Sequence, residues 1–201
     1  MTKTVYYVAC SLDGFIADRE NSLDWLMEFG FEEFAEQYAD FIADIGAVIM
    51  GADTYDFILN DPSEWSYTMP AWVLSHRELP GIDGADIRFT RADGPGDIAA
   101  LHAAATLAAG EKKVWVIGGG NVASQFADAG LLDELQVTIM PVLLGAGRPL
   151  LPLARNTGLT ALGTTSFAGG AIELRYSVNK PAVNKPALDK PAVDNPAVTR
   201  P

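Results

Sequence analysis

The sequence predicts an α/β domain in three layers, built on a mixed, mostly parallel sheet of about eight strands that ends in a C-terminal antiparallel hairpin. Three observations predict it. Strand-like and helix-like segments alternate along the chain, so that helices stand between the early strands as the crossovers of a parallel sheet require. The last two strand-like segments, residues 160–167 and 171–178, instead flank Gly169-Gly170, which reads as a tight hairpin. Finally, 49% of the 201 residues are hydrophobic, enough for the core of a single domain.

Residues 4–10, TVYYVAC, form a buried strand. The 31–45 segment, FEEFAEQYADFIADI, predicts a helix: Phe31, Phe34, Ala35, Tyr38, Phe41, Ile42 and Ile45 share one face, and the acidic residues lie elsewhere. Gly46 is the expected C′ residue that ends it. Short apolar strands follow at 47–51, 71–75 and 86–90. A helix over 97–109 places Ile98, Leu101, Ala105 and Ala108 on one side, with Gly110 beyond its end. Residues 113–118, KVWVIG, are a strand, and 121–129 a short helix stopped by Gly130. The 134–143 segment is a long strand whose Pro141 suggests an edge or a bulge. In 171–178, Ile172, Leu174, Tyr176 and Val178 alternate with polar or small residues.

The formal net charge is −12, and between Asp13 and Glu64 the only basic side chain is Arg19. Nucleic-acid binding needs a basic footprint, and none is visible. No apolar run is long enough to span a bilayer. The start, MTKTVYYVAC, has no secretory h-region, and the single cysteine, Cys10, has no internal disulfide partner. A cytoplasmic protein without nucleic-acid or membrane partners is expected. Cys10 ends an apolar run and reads as a small buried hydrophobe rather than a reactive thiol. The last 23 residues, NKPAVNKPALDKPAVDNPAVTRP, are a pentapeptide repeat with a proline in each unit. Proline removes a backbone donor and disfavours helix before it. The folded domain is therefore expected over 1–178, and an extended or disordered tail over 179–201.

The most specific stretch is VWVIGGGNVASQF, residues 114–126: strand, three glycines, helix. Glycine lets the backbone touch a ligand, and a helix N-terminus offers free N–H groups and partial positive charge, which suits a phosphate. A tight turn without a ligand is the alternative. The stretch is not a Rossmann fingerprint, because the third spaced glycine is missing and the turn follows the fifth strand. Nor is it a Walker A loop, because no Gly-Lys-Ser/Thr follows. Three other segments leave strand ends: SLDGFIA (11–17), MGADTYDFI (50–58) and VLSHR (73–77). Thr54 could cap the following helix or donate to a phosphate. In a parallel sheet all four segments converge on one rim, where ligands of such sheets bind.

These segments, with the late PVLLGAGRPLL, resemble the dihydrofolate reductase superfamily. The likeness is greatest to the reductase domain of the bifunctional riboflavin-biosynthesis deaminase-reductase and its stand-alone relatives, and it covers residues 4 to about 178. The resemblance implies a dihydrofolate reductase-like fold and an NADPH-dependent reductase. It implies that Gly118, Gly119, Gly120, Asn121 and Val122 hold the cofactor pyrophosphate, that Gly51 and Thr54 meet its phosphates, and that Ser75, His76 and Arg77 meet the adenosine 2′-phosphate. It places Ala9, Ile16 and Ala17 over the nicotinamide. One departure bears on the cofactor: Ala52-Asp53 stands where the family often carries a basic residue, and a carboxylate there repels phosphate. His76 and Arg77 partly restore the balance, so NADPH is the expected cofactor with NADH as the alternative.

Hydride transfer asks mainly for positioning of two rings and exclusion of water. Dihydrofolate reductases carry an acid on the first long helix, but the apolar face of 31–45 has none, so reduction of dihydrofolate itself is not expected. Asp13, Asp24 and Trp25 are the candidates for a catalytic or substrate-facing role. Asp13 is alternatively a turn former, Asp24 the N-cap of a short helix, and Trp25 a packing residue. The substrate is expected to be a small heterocyclic or carbonyl compound. The phosphoribosylamino-uracil of riboflavin synthesis would call on Arg148 or Arg155 for its phosphate. No zinc-deaminase motif exists, and no metal is expected. A nucleotide-binding regulatory module without turnover is the alternative function. The apolar PVLLGAGRPLLPL stretch could serve a homodimer interface or pack within the monomer.

Overall fold

The computed structural model describes residues 2–60 and 65–180. The repeat tail lies, from residue 181 on, outside the described residues. The described chain runs β1 (Thr4–Ser11), β2 (Phe15–Ala17), α1 (Asp24–Met27), a 3-10 turn (Glu32–Phe34), α2 (Ala35–Ala43), β3 (Ile45–Gly51), α3 (Ala52–Asn60), β4 (Ala71–Leu74) and β5 (Ile87–Thr90). It continues through α4 (Pro95–Ala109), β6 (Lys113–Gly118), α5 (Gly120–Asp128), β7 (Glu134–Met140), β8 (Arg148–Pro149), β9 (Leu159–Ser166) and β10 (Ile172–Val178). The main sheet has eight strands in the order β5-β4-β3-β6-β1-β7-β10-β9. The first six in that order are mutually parallel, and β10 pairs antiparallel with both β7 and β9. This is the three-layer mixed sheet the sequence predicts, with its hairpin at one edge.

Strand alternation sends side chains to two faces. On one face Tyr6, Cys10, Val114, Val116 and Val137 meet Ile98, Leu101 and Ala105 of α4 and Val122, Ala123 and Phe126 of α5. On the other, Val5, Val48, Met50, Val73 and Trp115 meet Phe41 of α2 and Tyr55 of α3. Full burial of a side chain such as Phe126 contributes roughly 1.5–3 kcal/mol, and these two layers fix the sheet on which the site stands. No helix among the described residues is long and apolar enough to cross a membrane.

Four expectations are corrected. The helix expected over 31–45 is shorter: it starts as the 3-10 turn, and Ile45 and Gly46 belong to β3, with Ile45 paired to Lys113. Gly46 is not a helix stop. A Cβ there would stand 2.8 Å from Ala109 Cα, so glycine is required by the close approach of the end of α4. Phe31 is exposed, off the packed face. Pro141 does not mark an edge strand: β7 lies between β1 and β10, and the proline falls just past its last residue, where no ladder donor is needed. Gly110 and Gly130, by contrast, follow α4 and α5 with φ of +62° and +71° and end them as expected. The packed chain also continues past 178, with Asn179 N–H donating to Gly158 O at 2.9 Å and Lys180 paired to Asp133 at 2.7 Å.

Candidate active site

A cleft of about 910 Å³ opens along the carboxyl ends of the parallel strands. Strand order dictates its layout. The segment after β4 contributes Ser75, His76 and Arg77. Next along the rim comes the β3 end with Gly51 and Thr54, then the β6 end with Gly118 to Val122, and then β1 and β2 with Ala9, Ile16 and Ala17. Every one of these positions lines the cleft.

The glycine turn is shaped by close contact. Gly119 is the N-cap residue of α5 and has no side-chain cap, so the first amide groups of the helix face the cleft without a protein side chain on them. The Gly118–Gly119 peptide is cis. A Cβ on Gly118 would stand 3.1 Å from the Thr54 hydroxyl, and one on Gly51 would stand 3.2 Å from Val122. Side chains at these glycines would fill the cradle between β3 and β6, so the residues present fit a pyrophosphate. Thr54 is the third residue of α3 rather than its cap, and it faces Gly118.

At the β4 end, Ser75 is buried and builds the turn: its hydroxyl accepts from the Arg77 N–H and donates to the Arg77 carbonyl, both at 2.9 Å. Arg77 leans on α3, 2.6 Å from Asp56 and 3.7 Å from Asp53. The hydrogen bond to Asp56 and its charge raise the already high guanidinium pKa. His76 Nδ1 lies 3.7 Å from Asp93.

At the β1 end, a second, two-stranded sheet closes the cleft: β2 pairs with β8, Ala17 opposite Arg148. Arg148 Nε donates to Asn21 Oδ1 at 3.1 Å, and both residues line the cleft. Arg155 lies away from it. The opposite wall is apolar, made by Leu23 and Leu26 of the α1 region, Phe57 and Ile58 of α3, and Tyr67. The Tyr67 ring packs 4.9 Å from Trp65 and 6.0 Å from Trp115. Burial, reinforced by the charge of Tyr38 and a hydrogen bond with it, raises its hydroxyl pKa well above the usual value.

Asp13, Asp24 and Trp25 do not line the cleft. The Asp13 carboxylate is committed to the loops: it accepts from Ser11 Oγ (2.6 Å), Leu144 N (3.1 Å) and Gly145 N (2.7 Å). The Ser11 hydrogen bond, joined by those amides, lowers its pKa. Asp24 is exposed and is the first residue of α1, whose cap is Leu23. The Trp25 indole N–H is buried without a partner among the described residues. Cys10 is buried, and burial pushes its thiol up to about 11, which leaves it protonated and inert. Sequence reasoning missed Tyr67, Phe57 and Asn21. It missed Leu23 and Leu26 as well, although their spacing of three, as on one side of a helical turn, is a local signal.

A mixed sheet with an uncapped glycine turn at the centre of its parallel carboxyl rim, the Ser75–Arg77 turn to one side and an apolar pocket to the other, is a dihydrofolate reductase-like fold. Comparison with known proteins agrees. Residues 68–172 match the RibD C-terminal domain. The uncharacterized protein YwjB of Bacillus subtilis (strain 168) is 32% identical over 177 residues, covering 87% of this chain and 97% of that protein. A candidate riboflavin biosynthesis protein from Shewanella sp. PV-4 shares the fold with a TM-score of 0.75 at 24% identity, over 89% of this chain and all of that one. A pyrimidine reductase-like protein from Corynebacterium diphtheriae shares it at 0.67 and 16% identity, over 90% of this chain and 93% of that one. The chain belongs to the RibD C-terminal domain family.

Proposed function

We propose that this protein is a stand-alone reductase that binds NADPH along the carboxyl rim and reduces a small, planar heterocyclic or carbonyl compound. The observation that carries the reading is the convergence of four strand-end segments on one cleft, ordered from the Ser75–Arg77 turn at β4, through the glycine cradle at β3 and β6, to the apolar compartment at β1. NADPH, when bound, supplies the hydride. Gly118–Val122 and Thr54 hold its pyrophosphate, with α5 amides as donors. Ser75, His76 and Arg77 take the adenosine end. Ala9, Ile16 and Ala17 cover the nicotinamide, and the β2–β8 sheet excludes water there.

Leu23, Leu26, Phe57 and Ile58 sandwich the substrate ring. Tyr67 O–H, turned from Tyr38, would hydrogen-bond the substrate oxygen or nitrogen that gains negative charge, and solvent would supply the proton. The family makes 5-amino-6-(5-phosphoribosylamino)uracil the first substrate to try, with Arg148 as the group available to its phosphate. A binding module without turnover is the second reading. It is favoured by the placement of Asp13 and Asp24 off the cleft, which leaves the substrate compartment without a carboxylic acid among the described residues. Titration with NADPH followed by tryptophan fluorescence, then by absorbance during incubation with a panel of pyrimidines, pteridines and small carbonyl compounds, tests both. Binding with turnover of at least one compound supports the reductase. Binding without turnover supports the module, and no binding at millimolar NADPH overturns both.

A further inference from the structure

Around the turn after β4, three carboxylates, Asp53, Asp56 and Asp93, outnumber the two arginines, Arg77 and Arg91, of which Arg91 reaches the His76 carbonyl at 3.5 Å and Arg77 lines the cleft. Asp53 and Asp56 stand three residues apart on α3, hence on one helix face, and both reach the Arg77 guanidinium, at 3.7 and 2.6 Å. Asp53 and Arg77 line the cleft, as does His76, which has Asp93 as its own neighbour at 3.7 Å. A phosphate dianion arriving at Arg77 must therefore displace or share the guanidinium with Asp56, and it meets the Asp53 charge within the same few ångströms. A ribose that carries only hydroxyls meets the opposite situation, because a carboxylate on the lining accepts its 2′-OH hydrogen bond.

We infer that Asp53 and Asp56 set the cofactor preference of this chain by competing for Arg77, so that NADH binds within about tenfold of NADPH, roughly 1.4 kcal/mol. The inference rests on the reading of the cleft as a pyridine-nucleotide site. The acids do not abolish 2′-phosphate binding, since Arg77 still offers a planar fork with more donors than one carboxylate uses. They lower its advantage. All three side chains are at least one-third exposed, so their substitution leaves the packed core untouched.

The test is equilibrium binding on the full chain, with NADPH, NADH, adenosine 2′,5′-bisphosphate and ADP as probes, for the wild type, Asp53→Asn, Asp56→Asn, Arg77→Ala and the Asp56→Asn/Arg77→Ala pair. The expected result is a five- to tenfold tightening of NADPH and the bisphosphate in Asp56→Asn, with NADH and ADP changed less than twofold. That gain should be absent when Arg77 is also removed, which is the non-additivity of a shared partner. An unchanged NADPH-to-NADH ratio in both Asp variants, or equal tightening of all probes, overturns the inference alone. Failure of the folded wild type to bind either dinucleotide overturns the reading of the site and the inference with it.

Discussion

Gly120 lies against the backbone of Leu150 so closely that a β-carbon on it would stand 2.7 Å from the Leu150 carbonyl oxygen. The contact joins the first turn of α5, where the cofactor phosphates are proposed to sit, to the segment just after β8, which covers the other end of the cleft. Gly120→Ala is accordingly predicted to force the helix start away from Pro149 and Leu150. The expected cost is roughly 1–3 kcal/mol of stability, with about tenfold weaker NADPH binding. Thermal unfolding and a fluorescence titration measure the two effects, and wild-type values for both would mean the contact is not as tight as described.

Tyr67→Phe keeps the ring that packs on Trp65 and Trp115 and removes only the hydroxyl. With Tyr67 as a hydrogen-bond donor in the substrate compartment, kcat is predicted to fall roughly 10²-fold, with Tm and NADPH affinity close to wild type. Steady-state kinetics on any accepted substrate decide this. An unchanged kcat would remove Tyr67 from the reacting centre.

Asp13 is held by Ser11, Leu144 and Gly145, and its folded pKa is lowered below the ordinary value. A depressed carboxylate pKa contributes stability that is present above the unfolded pKa of about 4 and is lost as pH falls through the folded value. Asp13→Asn is therefore predicted to unfold at a lower temperature than wild type at pH 7, and the gap should close as pH drops below about 4. Its kcat should fall far less than that of Tyr67→Phe, because Asp13 braces the loops from outside the cleft. A constant Tm gap across this pH range would contradict the assignment.

Phe126 is fully buried between α5 and the sheet. Phe126→Ala is predicted to cost roughly 3–5 kcal/mol, read as a lowered urea midpoint with an unchanged slope. A loss below about 1 kcal/mol would show that the α5 layer repacks freely.

Much of this fold is legible locally. The KVWVIG strand has the same limits in the structure as in the sequence, because a short apolar run between a charged turn and glycines leaves no other choice. Gly46 and Pro141 mislead for one shared reason. Each carries a local signal, helix stop or strand edge, while its real setting comes from a distant neighbour: Ala109 for Gly46, and β10 covering the flank of β7 for the strand before Pro141. The β2–β8 sheet pairs three residues with two across some 130 positions, too short to leave a periodic signal. The same limit applies to the site. Asp13 and Asp24 have the right chemistry, but residue type does not say which way a side chain points. Tyr67 lies in a loop with no pattern, and only the packing of Trp65 and Trp115 brings it to the cleft wall.

The central claim is that a pyridine nucleotide lies along the carboxyl rim from β4 to β1. Hydrogen exchange of the full chain, read by mass spectrometry with and without saturating NADPH, tests it most directly. The account predicts slowed exchange in peptides covering 51–54, 75–77 and 118–122, with a smaller effect at 14–17 and none at the β9–β10 hairpin. Protection confined to the hairpin, or unchanged exchange in the 118–122 peptide under saturating NADPH, would contradict it.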